Sequence, residues 1–215
     1  MTFCAGRGIE IGAHDLPIAG LTPIYVDQCR EYAHKPTLAN VLATATLLPF
    51  ADSSLDYVAA SHVIEHMPQT IRALREWHRV VKDGGHIYLV VPDKRRTFDR
   101  PRPLTPLEHV LTDDREWSPL RDIPHAVEIA FSAPVEVLEG RSVAPESERE
   151  CRDAYCRRLV TQLLQGRPVD IHHHVWTPET FVPIVEHLGW QIRALVEDYP
   201  PGRGDGFCVL VRVRK

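Results

Sequence analysis

Apolar runs and turn-formers alternate along the first part of the chain. GIEIG, PIYVD and LDYVAAS are rich in branched or aromatic residues, and glycine, proline, aspartate or serine bounds them. Short runs of this kind predict strands buried on both faces, as in parallel sheets. HIYLVVPD reads as a fourth. Ahead of it, Ile71, Leu74, Trp77 and Val80/Val81 recur at helical spacing, which predicts an amphipathic helix from about Thr70 to Val81. Lys82-Asp83-Gly84-Gly85 then suits its final carbonyls and a left-handed exit. Strand, helix and strand joined in this way form a crossover unit, so the pattern predicts an α/β protein with a mainly parallel sheet and helices on both faces.

The pattern changes toward the C-terminus. TPETFVPIVEHLGW opens with threonine before proline and stops at Gly189, as a capped helix does. WQIRALVED and FCVLVRVRK read as two strands joined by YPPGRGDG, so the last pair is expected to be antiparallel. Residues 94–176 lie between, rich in charge and proline and poor in strand signal. Such a long excursion from a compact domain predicts a lid or binding insertion. The apolar positions from Ala154 to Leu164 make it partly helical. One domain over 1–215, with this insertion, accounts for the whole pattern.

Composition narrows the function classes. With 215 residues and 44% hydrophobic content the chain can bury one substantial core. A formal charge of -4 argues against a general nucleic-acid binder, which needs a basic excess. No apolar stretch approaches the roughly 20 residues that span a bilayer, and MTFCAGRGIEIG lacks the order of a signal peptide; the expectation is a cytoplasmic protein with no membrane partner. Cys4, Cys29, Cys151, Cys156 and Cys208 are scattered without a C-x-x-C pair, so reduced structural thiols are expected.

In a doubly wound sheet, ligands sit beyond the carboxyl ends of the strands. Those exits read IEIGAHD, YVD and, after LATATLLPFADSS, the strand that releases SHVIEH. Leu48-Pro49-Phe50-Ala51-Asp52-Ser53-Ser54-Leu55-Asp56-Tyr57-Val58 and Ser61-His62-Val63-Ile64-Glu65-His66 resemble the L-P-F-x-D-x-S-x-D-x-V and S-H-V-x-E-H blocks of the class I S-adenosylmethionine-dependent methyltransferases, in their small type 11-like branch. REWHRVVKDGGHIYLVVPD is similar to that family's R-V-L-K-P-G-G segment. The resemblance covers residues 8–93 and returns over 176–215. It implies a Rossmann-like, doubly wound sheet with an antiparallel last strand.

By that resemblance the cofactor is S-adenosyl-L-methionine, and a set of residues would hold it. Glu10, Gly12 and Ala13 would shape the loop beneath its methionine part, and Asp27 would accept from the ribose hydroxyls. Thr46 and Leu47 lie ahead of the next strand, while Ser61 and His62 stand at the strand exit. His62 is the candidate general base, since an imidazole titrates near neutrality. Packing against the cofactor is the alternative role. Two departures stand out: Gly12 is followed by Ala13-His14-Asp15 where the family carries further glycines, and Thr44 and Thr46 replace an expected acid. The spacing from Gly12 to Asp27 leaves room only for an abbreviated helix that Pro17 would start.

The remaining candidates concern the acceptor. Lys94, Arg95, Arg96, Arg100 and Arg102 concentrate charge beside the fourth strand, and guanidinium forks suit an anionic group. In IHHHVWTP, His172, His174 and Trp176 share one side if the segment is extended, and His173 faces away. These residues could form a polar wall of the acceptor pocket, or hold a metal with His109 or His125. No zinc spacing is recognised, so no metal ligand is assigned. The expected acceptor set is therefore His66, Lys94, Arg100, Arg102, His172, His174 and Trp176. The reading is methyl transfer to a small molecule, such as a sugar, a sugar-linked compound or a natural product. Another use of the sulfonium, or a non-catalytic partner subunit, remains open, as does the oligomeric state.

Overall fold

The computed structural model describes residues 3–32, 34–199 and 204–215. Its strands and helices are β1 (Gly8–Ile11), β2 (Ile24–Asp27), β3 (Glu31–Tyr32), β4 (Lys35–Pro36), β5 (Val41–Leu42), β6 (Leu55–Ser61), α1 (Thr70–Val80), β7 (Val81–Pro92), α2 (Leu107–Glu116), α3 (Ile123–Ser132), α4 (Val135–Glu139), α5 (Glu148–Leu164), α6 (Pro178–His187), β8 (Gln191–Tyr199) and β9 (Gly206–Arg212). Seven strands form one sheet in the order β5-β2-β1-β6-β7-β9-β8. Neighbours from β5 to β7 pair in parallel, and β9 runs antiparallel to both β7 and β8. Residues 200–203 of the expected turn lie outside the described residues. β3 and β4 make a separate small hairpin.

Side chains that alternate across the sheet divide its burial. Val58 and Ala60 of β6, Ile87, Leu89 and Val91 of β7, and Phe207, Val209 and Val211 of β9 share one core with α1, α2 and α6. Ile71, Leu74 and Trp77 are the core-facing stripe of α1. Trp77 also donates from Nε1 to the Ala45 carbonyl at 2.9 Å. Truncation of such a buried indole to alanine typically costs about 3–5 kcal/mol. α6 begins with a capping box between Thr177 and Thr180 and has Pro178 at its start, as the sequence predicts.

The opposite face carries Tyr57, Ala59, Tyr88, Val90, Cys208 and Leu210, against which Ile18 and Leu21 pack. These two residues belong to the β1–β2 connection, which is turn and coil instead of the expected short helix. Pro17, Gly20 and Pro23 punctuate it too closely for a helix to propagate. Lys82-Asp83-Gly84-Gly85 also differs from expectation. α1 leaves through extended Val81, with ψ 140°, and the four residues already belong to β7. Gly84 supplies the left-handed φ, +78°, within that strand.

The excursion after β7 starts and ends at one place. Asp93 and Trp176 form an isolated parallel bridge, and Lys94 N donates to the Trp176 carbonyl at 3.0 Å. Between them, α3 and α5 bury Ala126, Ile129, Leu159 and Leu163 with Val169 and Ile171 of the return segment, so the insertion has a core of its own. No helix among the described residues is long and apolar enough to cross a membrane.

Candidate active site

The carboxyl ends of β1, β2 and β6 meet at Gly12, Asp27 and His62. Gly12 adopts φ +67°, and a Cβ there would lie 2.7 Å from Val63 Cγ2, so both backbone and space require glycine. Glu10, buried in β1, accepts from Ile18 N at 2.8 Å through Oε1 and so ties down the connecting loop. Its Oε2 has no partner, and burial raises the carboxyl above its ordinary value. Asp27 accepts from Cys29 N at 3.3 Å through Oδ1, while its buried Oδ2 is left without a hydrogen bond. His14 Nε2 is 3.7 Å from that free oxygen and its ring stacks on Tyr32 with centroids 4.0 Å apart.

Two adjoining cavities share Gly12, His14 and His62. One, of about 70 Å³, is lined by Asp27, Gln28, Tyr32, Ala43, Ala45, Val63, His66 and Asp170 among others. The other, of about 280 Å³, lies against Ala13, Asp15, Leu16, Ser61 and Asp205. His62 stands between them with φ +54°, a conformation that costs a non-glycine residue free energy, held by its N–H bond to the Val90 carbonyl at 2.9 Å.

Behind His62 lies a fully buried carboxylate. Glu65 Oε1 is 3.7 Å from His62 Nδ1 and 3.9 Å from both His66 Nε2 and His172 Nε2, and neither Glu65 oxygen has a hydrogen bond. The far sides of two of these rings are occupied: His66 Nδ1 is 2.8 Å from Asp170 Oδ1, and His172 Nδ1 is 2.6 Å from Asp99 Oδ2. Tyr32 donates to Asp170 Oδ2 at 2.8 Å, so the hairpin, the insertion and the SHVIEH block join over the smaller cavity. Burial pulls His66 down, but the Asp170 bond and the Glu65 charge outweigh it and leave the imidazole above its ordinary value. Asp170 is held down at about 2, chiefly by His66.

Comparison with known proteins places this geometry. The sequence model of the methyltransferase domain family matches residues 19–89. A demethylmenaquinone methyltransferase of Lysinibacillus sphaericus is 36% identical over 69 residues, 29% of this chain and 30% of that protein. The methyltransferase GfsG of Streptomyces halstedii is 29% identical over 93 residues, 43% of this chain and 31% of that protein. The matches thus span less than a third of either relative. A solved SAM-dependent methyltransferase of Methanosarcina mazei superposes with TM-score 0.51 at 17% identity, covering 97% of this chain and 92% of that one. The chain therefore shares the fold of these SAM-dependent methyltransferases, and residues 19–89 resemble the methyltransferase domain family.

S-adenosylmethionine is the cofactor of class I methyltransferases, and this domain fits it. The free Asp27 oxygen suits a ribose hydroxyl donor, and Gly12 leaves the loop backbone open to close approach. Ala13 and Ser61 lie on the wall of the larger cavity. Ala43 and Ala45 line the smaller cavity, whereas the expected Thr46 and Leu47 do not. The Thr44–Leu47 bridge turns the chain there and leaves the Leu47 side chain 69% exposed.

The expected acceptor residues separate. His66 lines the smaller cavity. Arg102 is buried and bonded to Asp99 at 2.7 Å, Glu128 at 2.9 Å and the His172 carbonyl at 2.8 Å, so it braces the insertion and is not available to an acceptor. Lys94 Nζ donates to the Arg102 carbonyl. Arg95 pairs with Asp93 and Arg96 with Asp198, while Arg100 is exposed. The basic run is thus largely neutralised by its own neighbours. Trp176 packs edge-on to Phe181 at 5.2 Å in the main core, away from the cavities. His172 and His174 do not converge: the first faces Glu65 and Asp99, the second is buried beside Asp113 and Thr70. Sequence reasoning missed Tyr32, Asp170 and Asp99, polar residues in coil or edge positions whose meeting with His66 and His172 no local period announces.

Proposed function

We propose that the protein transfers the methyl group of S-adenosylmethionine to an oxygen or nitrogen of a small-molecule acceptor. The observation that carries this is the unpartnered Asp27 oxygen facing a glycine-floored cavity whose rim is His62. The bound sulfonium supplies an already activated methyl group, so the protein's work is alignment and proton removal. Asp27 and the Gly12 loop hold the donor. His62 accepts the acceptor's proton, and Glu65, 3.7 Å from its Nδ1, stabilises the imidazolium that results. The Tyr32–Asp170–His66 contacts cover the cavity and limit water.

The acceptor is a sugar, a sugar-linked compound or another natural product. The carboxylates of Asp27, Asp170 and Asp205 line the cavities, while Arg95, Arg96 and Arg102 are paired elsewhere. These features support a neutral or cationic acceptor over the anionic one that the basic run suggested. The test is to incubate the protein with methyl-labelled donor and extracts of its source cells, then follow the label by mass spectrometry. Labelled acceptor is the expected product. Donor consumption without methylated product would replace methyl transfer with another sulfonium reaction, and no donor binding at millimolar concentration would overturn the proposal.

A further inference from the structure

A second carboxylate, the half-buried Asp113, is ringed by histidines outside the donor cavities. His109 and Asp113 stand one helical turn apart on α2, His125 is near the start of α3, and His174 lies on the segment returning to α6. Asp113 Oδ2 is 3.0 Å from His109 Nε2, 3.0 Å from His125 Nε2 and 3.1 Å from His174 Nε2. The three rings are nearly perpendicular to one another, at 89°, 86° and 88°, with centroids 5.1, 5.9 and 5.5 Å apart. Three imidazoles therefore present the same nitrogen to one small volume, from directions that avoid ring overlap.

Asp113 Oδ2 makes hydrogen bonds with His125 Nε2 and His174 Nε2, and a third imidazole closes on the same oxygen. On its far side, His174 Nδ1 is paired with Thr70 Oγ1 at 2.9 Å, which holds the ring with Nε2 toward Asp113. His109 Nε2 lies 3.0 Å from the same oxygen without forming an aligned hydrogen bond. A side-chain partner fixing Nδ1 so that Nε2 points inward is the usual outer arrangement of a metal-bound histidine.

We infer that His109, Asp113, His125 and His174 bind one divalent transition metal ion, with zinc the chemical class that the donor set selects. Three imidazole nitrogens and one carboxylate oxygen complete a four-coordinate shell, which is the closed form of a structural zinc site. A further buried carboxylate, Asp122, groups with His125 and His173 within 4.8 Å and adds negative charge beside the shell. The ligands come from α2, α3 and the return segment, and Thr70 belongs to α1. The ion would therefore tie the insertion's own elements together, and the Thr70–His174 contact links them to the sheet domain. His173 N donates to the Glu65 carbonyl at 2.7 Å, so this tie also sets the position of the adjoining His172 at the candidate active site.

The test uses the full chain without a polyhistidine tag, expressed with zinc present and desalted. Plasma mass spectrometry should find about one zinc per chain, and Asp113→Asn should lower this to about a tenth or less. His109→Ala, at a ligand that is 46% exposed, is the milder variant if Asp113→Asn fails to fold. A chelator should lower the melting temperature of the native chain, and added zinc should restore it. Cobalt substitution should give the intense visible absorption of a tetrahedral site. Less than about a tenth of an equivalent of metal after equilibration with zinc, with a melting temperature indifferent to chelator, would overturn the inference and leave an imidazolium–carboxylate network. Zinc that is lost in Glu65→Gln and kept in Asp113→Asn would also overturn it, by placing the ion in the other cluster.

Discussion

Asp113 and Glu65 are both carboxylates facing three histidines, yet their surroundings differ. Around Asp113 the imidazole nitrogens close to 3.0–3.1 Å of one oxygen. Around Glu65 the three nearest stand off at 3.7–3.9 Å, and neither oxygen has a partner. The first is a contracted knot, open to solvent on its His109 side, whose residues line neither cavity. The second borders His62 and His66, which line one of them. Compact pairing suits a structural role, because a buried charge is tolerated when its surroundings compensate it. Neither Glu65 oxygen has a hydrogen bond, and a buried polar group left so at a free-energy cost is found at sites where function uses it.

The largest effect expected on stability is at the contracted cluster. Asp113→Asn should destabilise the fold by about 3–5 kcal/mol, the usual cost of breaking a buried charged pairing, read from urea denaturation. Loss of bound metal would add to that. At the open cluster the main effect should fall on catalysis: His62→Asn should retain donor binding but lower turnover about 10²-fold or more. Unchanged turnover would make His62 a packing residue and remove the functional side of the contrast. Asp27→Ala should weaken donor binding by about 1.5–3 kcal/mol in titration calorimetry, because a charge-assisted hydrogen bond is lost.

Glu65→Gln sharpens the comparison more directly. With no hydrogen bond to break and a desolvated charge removed, its stability should change by less than about 1 kcal/mol, while turnover falls. A loss equal to that of Asp113→Asn would show that the two clusters are alike. The smallest expected effect is a pH dependence at the cover of the cavity. Asp170 has a depressed folded-state value of about 2, so its stabilising contribution is present above the ordinary 3.8 and is lost as the pH falls through about 2. His66 is shifted upward, so its contribution is complete below 6.5 and disappears as the pH rises through its raised folded-state value. The pair should therefore support the fold best between 3.8 and 6.5, and Asp170→Asn should flatten the losses on either side of that range in urea midpoints measured below and above it.

Local pattern determined much of this protein. Branched runs specified β1, β2, β6 and β7, period 3.6 specified α1, and Thr177-Pro178 with Gly189 bounded α6. Each rests on neighbours in sequence, whose preferences act before any tertiary contact forms. The strand exits likewise marked Gly12, Asp27 and His62, because topology places ligands there. Tertiary structure alone decided which distant side chains meet. His172 and His174 lie two residues apart yet join different carboxylates, the first Asp99 and Glu65 in the turns after β7 and β6, the second Asp113 on α2. Arg102 reads as a ligand for anions, but Asp99 and Glu128 neutralise it. The β1–β2 connection, broken by Pro17, Gly20 and Pro23, is coil, and folding brings its Ile18 and Leu21 onto the second apolar face of the sheet. Charges and imidazoles carry no period of their own, and their roles follow from the partners that folding supplies.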